Sequence, residues 1–250
     1  MDNEEKLLYA KTEDLFRKCD KRSEAQFSFF LNETEQAFIK REIGSAYGYN
    51  TAFFGGYEGA GRKVFGVFPE WAEADNGDFP ISAVKIVNKY TKQLSHRDFL
   101  GSIMSNGITR EQVGDIIVDD DVAYVFMISE LAGYIAMNLK KIGNIGVKAS
   151  LADLSEIKPP EQKFLTISSV SASLRLDAVT AAMLKLSRKD AHNLIAGGAV
   201  GVNHSQTENT SLILKEGDII SVRGFGRFVF EAIGNRTGSQ RLHITVKKYL

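Results

Sequence analysis

The chain has 250 residues, 44% of them hydrophobic, with one cysteine and no net formal charge. That length and apolar content suffice for two or three small domains with real cores, which excludes a disordered tail. The neutral total hides a split: residues 163–250 hold 12 Lys and Arg against 6 Asp and Glu, a net +6, while the preceding 162 hold 19 against 25, a net −6.

Such asymmetry points to nucleic-acid binding by the C-terminal part. Cys19 stands alone, so no internal disulfide forms and a reducing compartment is expected. The opening Met1-Asp2-Asn3-Glu4-Glu5 lacks the basic-then-apolar order of a secretion signal, and no apolar run reaches bilayer length. A cytoplasmic monomer is the expectation.

In chain order, Leu7, Leu8, Leu15 and Phe16 predict a helix over residues 4–18. A second helix is expected over 23–31, and a third from Asn32 or Thr34, a cap with Glu35 following, to Ile43. The period then shortens: residues 49–54 and 63–68 are aromatic-rich strands around the glycine-rich loop 55–62, a hairpin closed by Pro69. A phosphate-binding loop needs Gly-Lys followed by Ser or Thr and a helix, whereas Arg62-Lys63-Val64 enters a strand. Arg62 and Lys63 remain as an additional RNA contact.

After the turn Asp75-Asn76-Gly77-Asp78 comes strand 81–90, helix 96–105, strands 115–118 and 123–128 around Asp119-Asp120-Asp121, helix 130–141 and strand 145–149. The order β-α-β-β-α-β is the split βαβ, ferredoxin-like pattern that many RNA-binding modules share. His96-Arg97-Asp98 imitates a kinase catalytic loop, but Ile103 stands where that motif needs a metal-binding Asn. The aspartates read as an exposed turn, and His96, His192, His204 and His243 have no Cys or His partner at ligand spacing, so no metal and no cofactor is expected.

Lys158-Pro159-Pro160-Glu161-Gln162 stiffens a linker. Beyond it, Ser173-Leu174-Arg175-Leu176-Asp177 opens an amphipathic helix. Ser187 caps a second one, whose stripe is Ala191, Leu194 and Ile195 and whose stop is Gly197-Gly198. Arg188, Lys189, His192 and Asn193 fall on the other side as a cationic, hydrogen-bonding face. Short strands follow at 200–203 and 219–223, with the turn Lys215-Glu216-Gly217-Asp218 between them and Gly224-Phe225-Gly226-Arg227-Phe228 after. A basic terminal strand covers 241–248.

This segment resembles the S-four, or αL, RNA-binding motif. The resemblance is carried by Arg175-Leu176-Asp177, Ser187-Arg188 with Ala191 and Leu194-Ile195, Gly198 with Val200 and Val202-Asn203, Gly217-Asp218, and Val222-Arg223-Gly224. It implies RNA contacts for Arg175, Ser187, Arg188, Lys189, His192, Asn193 and Asn203. Arg and Lys suit phosphates, while Ser, His and Asn reach phosphate, 2′-hydroxyl or base edges. Arg223 and Arg227 are expected to add phosphate contacts. Replacing Arg188 and Lys189 by Ala is expected to weaken binding with little loss of stability.

Through Leu94-Ser95-His96-Arg97-Asp98-Phe99-Leu100-Gly101, Asn106-Gly107-Ile108, Arg110-Glu111, Gly114-Asp115-Ile116 and Val222-Arg223-Gly224-Phe225-Gly226-Arg227, nearly the whole chain resembles the YlmH-like S-four proteins of Gram-positive bacteria. That implies an α+β chain: a mixed α/β N-terminal region (1–79), a ferredoxin-like, RRM-like middle domain (80–150), a linker (151–172), an S-four domain (173–235) and a basic C-terminal strand (236–250). This chain departs from the family at His204-Ser205-Gln206-Thr207-Glu208-Asn209, where the family usually has bulkier or more basic residues that would make the RNA contacts of that loop. The resemblance implies a non-enzymatic binder of large-subunit ribosomal RNA in ribosome-associated quality control. Stalled peptidyl-tRNA, and with it tRNA and ribosomal proteins, are the further partners it implies. Older naming links the family to cell division through gene neighbourhood.

The enzymatic alternative is an rRNA-modifying pseudouridine synthase, because Arg175-Leu176-Asp177-Ala178-Val179-Thr180 resembles the Arg-Leu-Asp-x-x-Thr strand whose Asp attacks the base. Those enzymes have Gly where this chain has Leu174 and Ala182, and Asp177 lies inside the S-four helix. No catalytic residue is therefore expected.

Overall fold

The computed structural model describes residues 3–43, 49–88, 94–119, 121–159 and 161–250. Helices and antiparallel sheets make it an α+β chain, divided into compact units at 1–160 and 161–250. The division falls in the stretch expected to be a linker. Expected positions 89 and 90 of the first middle strand, Asp120 of the acidic turn and Pro160 lie outside the described residues.

In the first unit, helix α1 (Asn3–Arg22) buries Thr12, Phe16 and Cys19, one stripe at spacings of four and three. Ser23, at φ +52°, ends it. The helix expected over 23–31 is instead strand β1 (Gln26–Leu31). The physical reason is that its end is buried on both faces: Phe30 packs into one core and Leu31 into another, so the apolar run loses its alternation and reads like a helix stripe. Helix α2 (Glu33–Glu42) starts at a full capping box. Asn32 Oδ1 accepts from the Glu35 amide at 3.0 Å, and Glu35 accepts from the Asn32 amide at 2.7 Å.

Strands β2 (Asn50–Phe54) and β3 (Lys63–Phe68) form the hairpin, and β1 pairs on the far side of β3, giving the order β1-β3-β2. One face of this sheet packs Leu31, Phe65 and Val67 against Phe16, Cys19, Phe38 and Ile39 of the helices. The other packs Phe30, Val64 and Phe68 against the middle sheet at Ile81, Ala83 and Phe126.

The middle sheet follows the expected succession: β4 (Ile81–Asn88), α3 (His96–Met104), β5 (Val113–Asp119), β6 (Val122–Ile128), α4 (Ser129–Asn138), a short β7 (Lys141–Ile142) and β8 (Ile145–Ala152). Its order β5-β6-β4-β8-β7 places the first and third long strands at the centre, the split βαβ arrangement. Helices α3 and α4 cover the face of Val84, Ile86, Val125 and Met127.

One carboxylate ties the hairpin loop to this sheet. Asp115 on β5 accepts from the Tyr57 hydroxyl at 2.8 Å and from the amides of Gly61 at 2.7 Å and Arg62 at 3.1 Å. Burial first, then the Asp115 charge, pushes the Tyr57 phenol well above its ordinary range. Gly56 has φ +98°, and a Cβ there would collide with the Phe126 ring. Gly56 therefore serves close packing.

The second unit is a six-stranded sheet ordered β11-β10-β12-β13-β14-β9. Its strands are β9 (Phe164–Ser171), β10 (Val200–Val202), β11 (Ser205–Gln206), β12 (Ile219–Val222), β13 (Gly226–Arg236) and β14 (Leu242–Tyr249). Strand β9 lies where the linker was expected; its eight residues pair with β14 from Phe164↔Tyr249 to Ser171↔Leu242. Helices α5 (Leu176–Leu184) and α6 (Arg188–Ala196) bury Leu176, Val179, Met183 and Ile195 on the sheet face of Ile220, Val222, Phe228, Phe230 and Val246.

If Gly56 is a packing glycine, Gly56→Ala will cost about 1–3 kcal/mol through overpacking, on top of its backbone strain. Gly59→Ala, at φ +83° with open space around it, will cost about 1 kcal/mol for the left-handed backbone. Urea denaturation of both variants makes the comparison.

Candidate nucleic-acid interface

The interface begins with a buried charge. Asp177 sits in the first turn of α5 and is 3% exposed. The backbone bonds Leu176 N–H to Leu212 O (2.8 Å) and Asp177 N–H to Thr210 O (3.1 Å) lay the loop before β12 along the helix start. A carboxylate this deep needs partners. It has two: Arg175 donates to it through Nε and Nη2 at 3.1 and 3.0 Å, and Arg188 through Nε and Nη2 at 3.2–3.4 Å.

The Arg175 hydrogen bonds hold Asp177 below the usual carboxylate range; burial pushes the other way, and Arg188 adds to the lowering. Arg175 is raised by the same contact. Arg175 precedes α5 and Arg188 opens α6, so one acid fixes the starts of both helices. Each guanidinium has five N–H groups and gives two of its nitrogens to Asp177, while the Arg188 side chain stays 56% exposed. Its outer edge can meet another acceptor.

Lys185 turns the chain between the helices in the left-handed conformation, φ 55° and ψ 41°. Ser187 then caps α6: its hydroxyl accepts from the Asp190 amide at 3.1 Å and donates to the Asp190 carboxylate at 2.6 Å. With Ala191 and Ile195 turned inward, Arg188, Lys189, His192 and Asn193 are exposed on one side of α6 at spacings of one, four and five. The expected cationic face is thus brought together on the helix pair.

Other expected contacts are placed differently. Asn203 and His204, at φ 49° and 67°, form the two-residue turn of the β10–β11 hairpin. The Asn203 side chain accepts from the Ile219 amide at 3.0 Å and donates to Asp218 at 2.9 Å, so it is engaged in the fold. Arg223 is exposed in the β12–β13 turn, where its amide donates to Ala199 O at 2.9 Å beside the end of α6. Arg227 is not on the helix side. It pairs across from Ser221, between the inward positions Gly226↔Val222 and Phe228↔Ile220, and so projects from the opposite face of the sheet.

Arg62 is spent inside the first unit, donating through Nε to Val113 O at 3.1 Å and through Nη2 to Phe30 O at 2.8 Å. Lys63 is half-buried beside it in β3. Sequence reading did not single out Lys85 and Tyr124, directly paired on the central strands of the middle sheet with Lys85 Nζ 5.9 Å from the ring centroid. Exposed Lys148, paired with Val87, shares that face. The usable signal was the alternation Val84-Lys85-Ile86, which turns Lys85 away from the helices.

The buried carboxylate revises the expected neutrality of Arg188: removing it leaves Asp177 with one partner, whereas Lys189 has no part in that cluster. Because the folded Asp177 titrates below its unfolded value, its stabilisation is present above the ordinary carboxylate range and disappears as pH falls through the lowered folded value. Asp177→Asn will lose about 1.5–3 kcal/mol at pH 7. The gap from the parent will narrow toward pH 3 in denaturant titrations.

Residues 74–156, the span of the middle sheet and its helices, match the family described as "Putative RNA-binding domain in YlmH". The "Ribosome-associated protein quality control protein P2" of Bacillus subtilis (strain 168) is 33% identical over 221 residues, covering 88% of this chain and 85% of that protein. Among solved structures, "Cell division protein ylmH from Streptococcus pneumoniae" superposes with a TM-score of 0.54 at 24% identity, covering 64% of this chain and 97% of that one, a likeness of fold. With a third of the residues identical to the Bacillus protein across most of both sequences, the chain belongs to the YlmH-like family.

Proposed function

We propose that the chain is a non-enzymatic, cytoplasmic RNA-binding protein. In this reading the α5–α6 face docks on folded ribosomal RNA of the large subunit, beside stalled peptidyl-tRNA, in ribosome-associated quality control. The observation that carries it is the Asp177 clamp, which holds two guanidinium groups at the helix starts while Lys189 and His192 stand exposed alongside. Fixed, partly exposed cations suit phosphates and 2′-hydroxyls of a structured RNA, because the geometry is set before binding. The printed name of the Bacillus relative supports the ribosome as the place.

The middle domain contributes a second RNA contact through Lys85, Tyr124 and Lys148, which the family description of residues 74–156 favours. Asp177 as a nucleophile toward a base fits poorly: it is 3% exposed and both carboxylate oxygens already accept from arginines. Its clamp accounts for the Arg175-Leu176-Asp177 sequence without chemistry.

Lys189→Ala with His192→Ala separates binding from stability. The pair will co-sediment less with large subunits, and the salt slope of binding will fall by about 1 for each phosphate contact removed, at unchanged stability. Arg188→Ala will lose both binding and stability, and pseudouridine content of the ribosomal RNA will not change in cells carrying Asp177→Ala. Co-sedimentation equal to the parent's by the Lys189, His192 variant would sink the assignment.

A further inference from the structure

We infer that the sheet face turned away from α5 and α6 is a stacking platform for unpaired RNA bases, an inference that rests on the RNA-binding reading above. The residues follow from strand alternation. Ile220, Phe228, Phe230, Val246 and Ile167 point into the core beneath the helices, so their neighbours in β9, β12, β13 and β14 point the other way. Register places these outward residues in two rows. One contains the pairs Ser221↔Arg227 and Tyr249↔Phe164; the next runs Ile219↔Val229↔Lys247↔Thr166.

The outward groups form an alternating set of rings and cations. The Tyr249 and Phe164 rings lie 5.0 Å apart at 58°. The Arg227 guanidinium carbon sits 4.6 Å from the Tyr249 centroid, and Lys247 Nζ sits 5.7 Å from that of Phe164. Phe164 is 38% exposed on the edge strand. Glu231, 3.0 Å from Lys247, supplies one opposing charge. The unit as a whole, residues 161–250, carries 12 Lys and Arg against 7 Asp and Glu.

These features select one occupant. The net positive unit and the cations on the rings favour a polyanion. The two rings favour flat, apolar partners, and stacking on aromatic faces is how proteins hold single strands without reading their sequence. A duplex keeps its bases stacked inside and offers such a face only backbone. The rings and cations are spread along neighbouring strands of one sheet face, which suits successive nucleotides of a strand. A single-stranded RNA segment, two or three bases stacked across Phe164 and Tyr249 with phosphates toward Arg227 and Lys247, meets all of these conditions. It would adjoin the structured RNA held by the helix pair on the other side of the sheet.

The test uses the full chain and two fluorescent probes, a twelve-nucleotide oligouridine and an RNA hairpin, in anisotropy titrations at fixed salt. Phe164→Leu keeps apolar bulk and the strand but removes the ring. It will weaken oligouridine binding about tenfold, the loss of one stacked base, and leave hairpin binding within twofold. Tyr249→Phe keeps the ring and will bind oligouridine within twofold of the parent. Lys189→Ala with His192→Ala will show the reverse pattern, losing hairpin more than oligouridine. Phe164→Leu binding oligouridine like the parent, or Tyr249→Phe losing as much as Phe164→Leu, overturns the platform alone and leaves the helix-face reading standing. A parent chain that binds neither probe overturns both. Circular dichroism melting of each variant confirms that the folded protein is being compared.

Discussion

A carboxylate buried between two arginines organises the C-terminal unit. Burying Asp177 is costly in isolation, and two guanidinium groups together with the first turn of α5 offset that cost. The consequence is geometric. Arg175 and Arg188 carry like charges and would separate in water, but Asp177 holds them to one point and so sets the helix starts against each other. An acid only 3% exposed thereby decides where two partly exposed cations stand.

Asp115 does comparable work in the first unit with the opposite result for the cation. It fastens the glycine-rich loop through Tyr57 and two amides, and Arg62, drawn into the same region, turns its guanidinium onto the carbonyls of Val113 and Phe30. Burial lowers its pKa, against the raising effects of Glu35 and Asp115. Arg62 and Arg188 look alike in the sequence, each following a turn residue and preceding a lysine. What separates them is the acceptor they find: backbone carbonyls that enclose Arg62, or one carboxylate that leaves the far edge of Arg188 in solvent.

That distinction marks the limit of what the sequence shows. Periodicity and caps located α2, the 55–62 hairpin, the β-α-β-β-α-β order and the α5–α6 pair, because those signals are local: Asn32 with Glu35 following, Ser187 as a cap, Gly197-Gly198 as a stop. Strand β1 read as a helix because its two faces pack into different cores, and a pattern over nine residues carries no record of that. Strand β9 read as linker because Ser168, Ser169 and Ser171 break its apolar alternation and its partner, β14, lies some eighty residues away. The cationic side of α6 was visible from spacing alone. The pairing of Arg188 with an aspartate eleven residues earlier, and the projection of Arg227 from the far face of the sheet, depend on tertiary placement.

The two faces of the C-terminal sheet then suit different parts of one ligand. On the helix side, charges are fixed by a buried clamp, which favours a partner whose phosphates are themselves held in place, as in folded RNA. On the open side, Arg227 and Lys247 lie over rings, so their charge is shared with an aromatic surface and can accompany a base that stacks there. A folded RNA with an unpaired segment presents both features within a short distance. In the proposed reading, the +5 charge of residues 161–250 attracts such a molecule without choosing a face, since long-range attraction depends on the sum of charges. Selection between the faces falls to the short-range contacts, and those differ because strand alternation turns Phe228 inward and Arg227 outward.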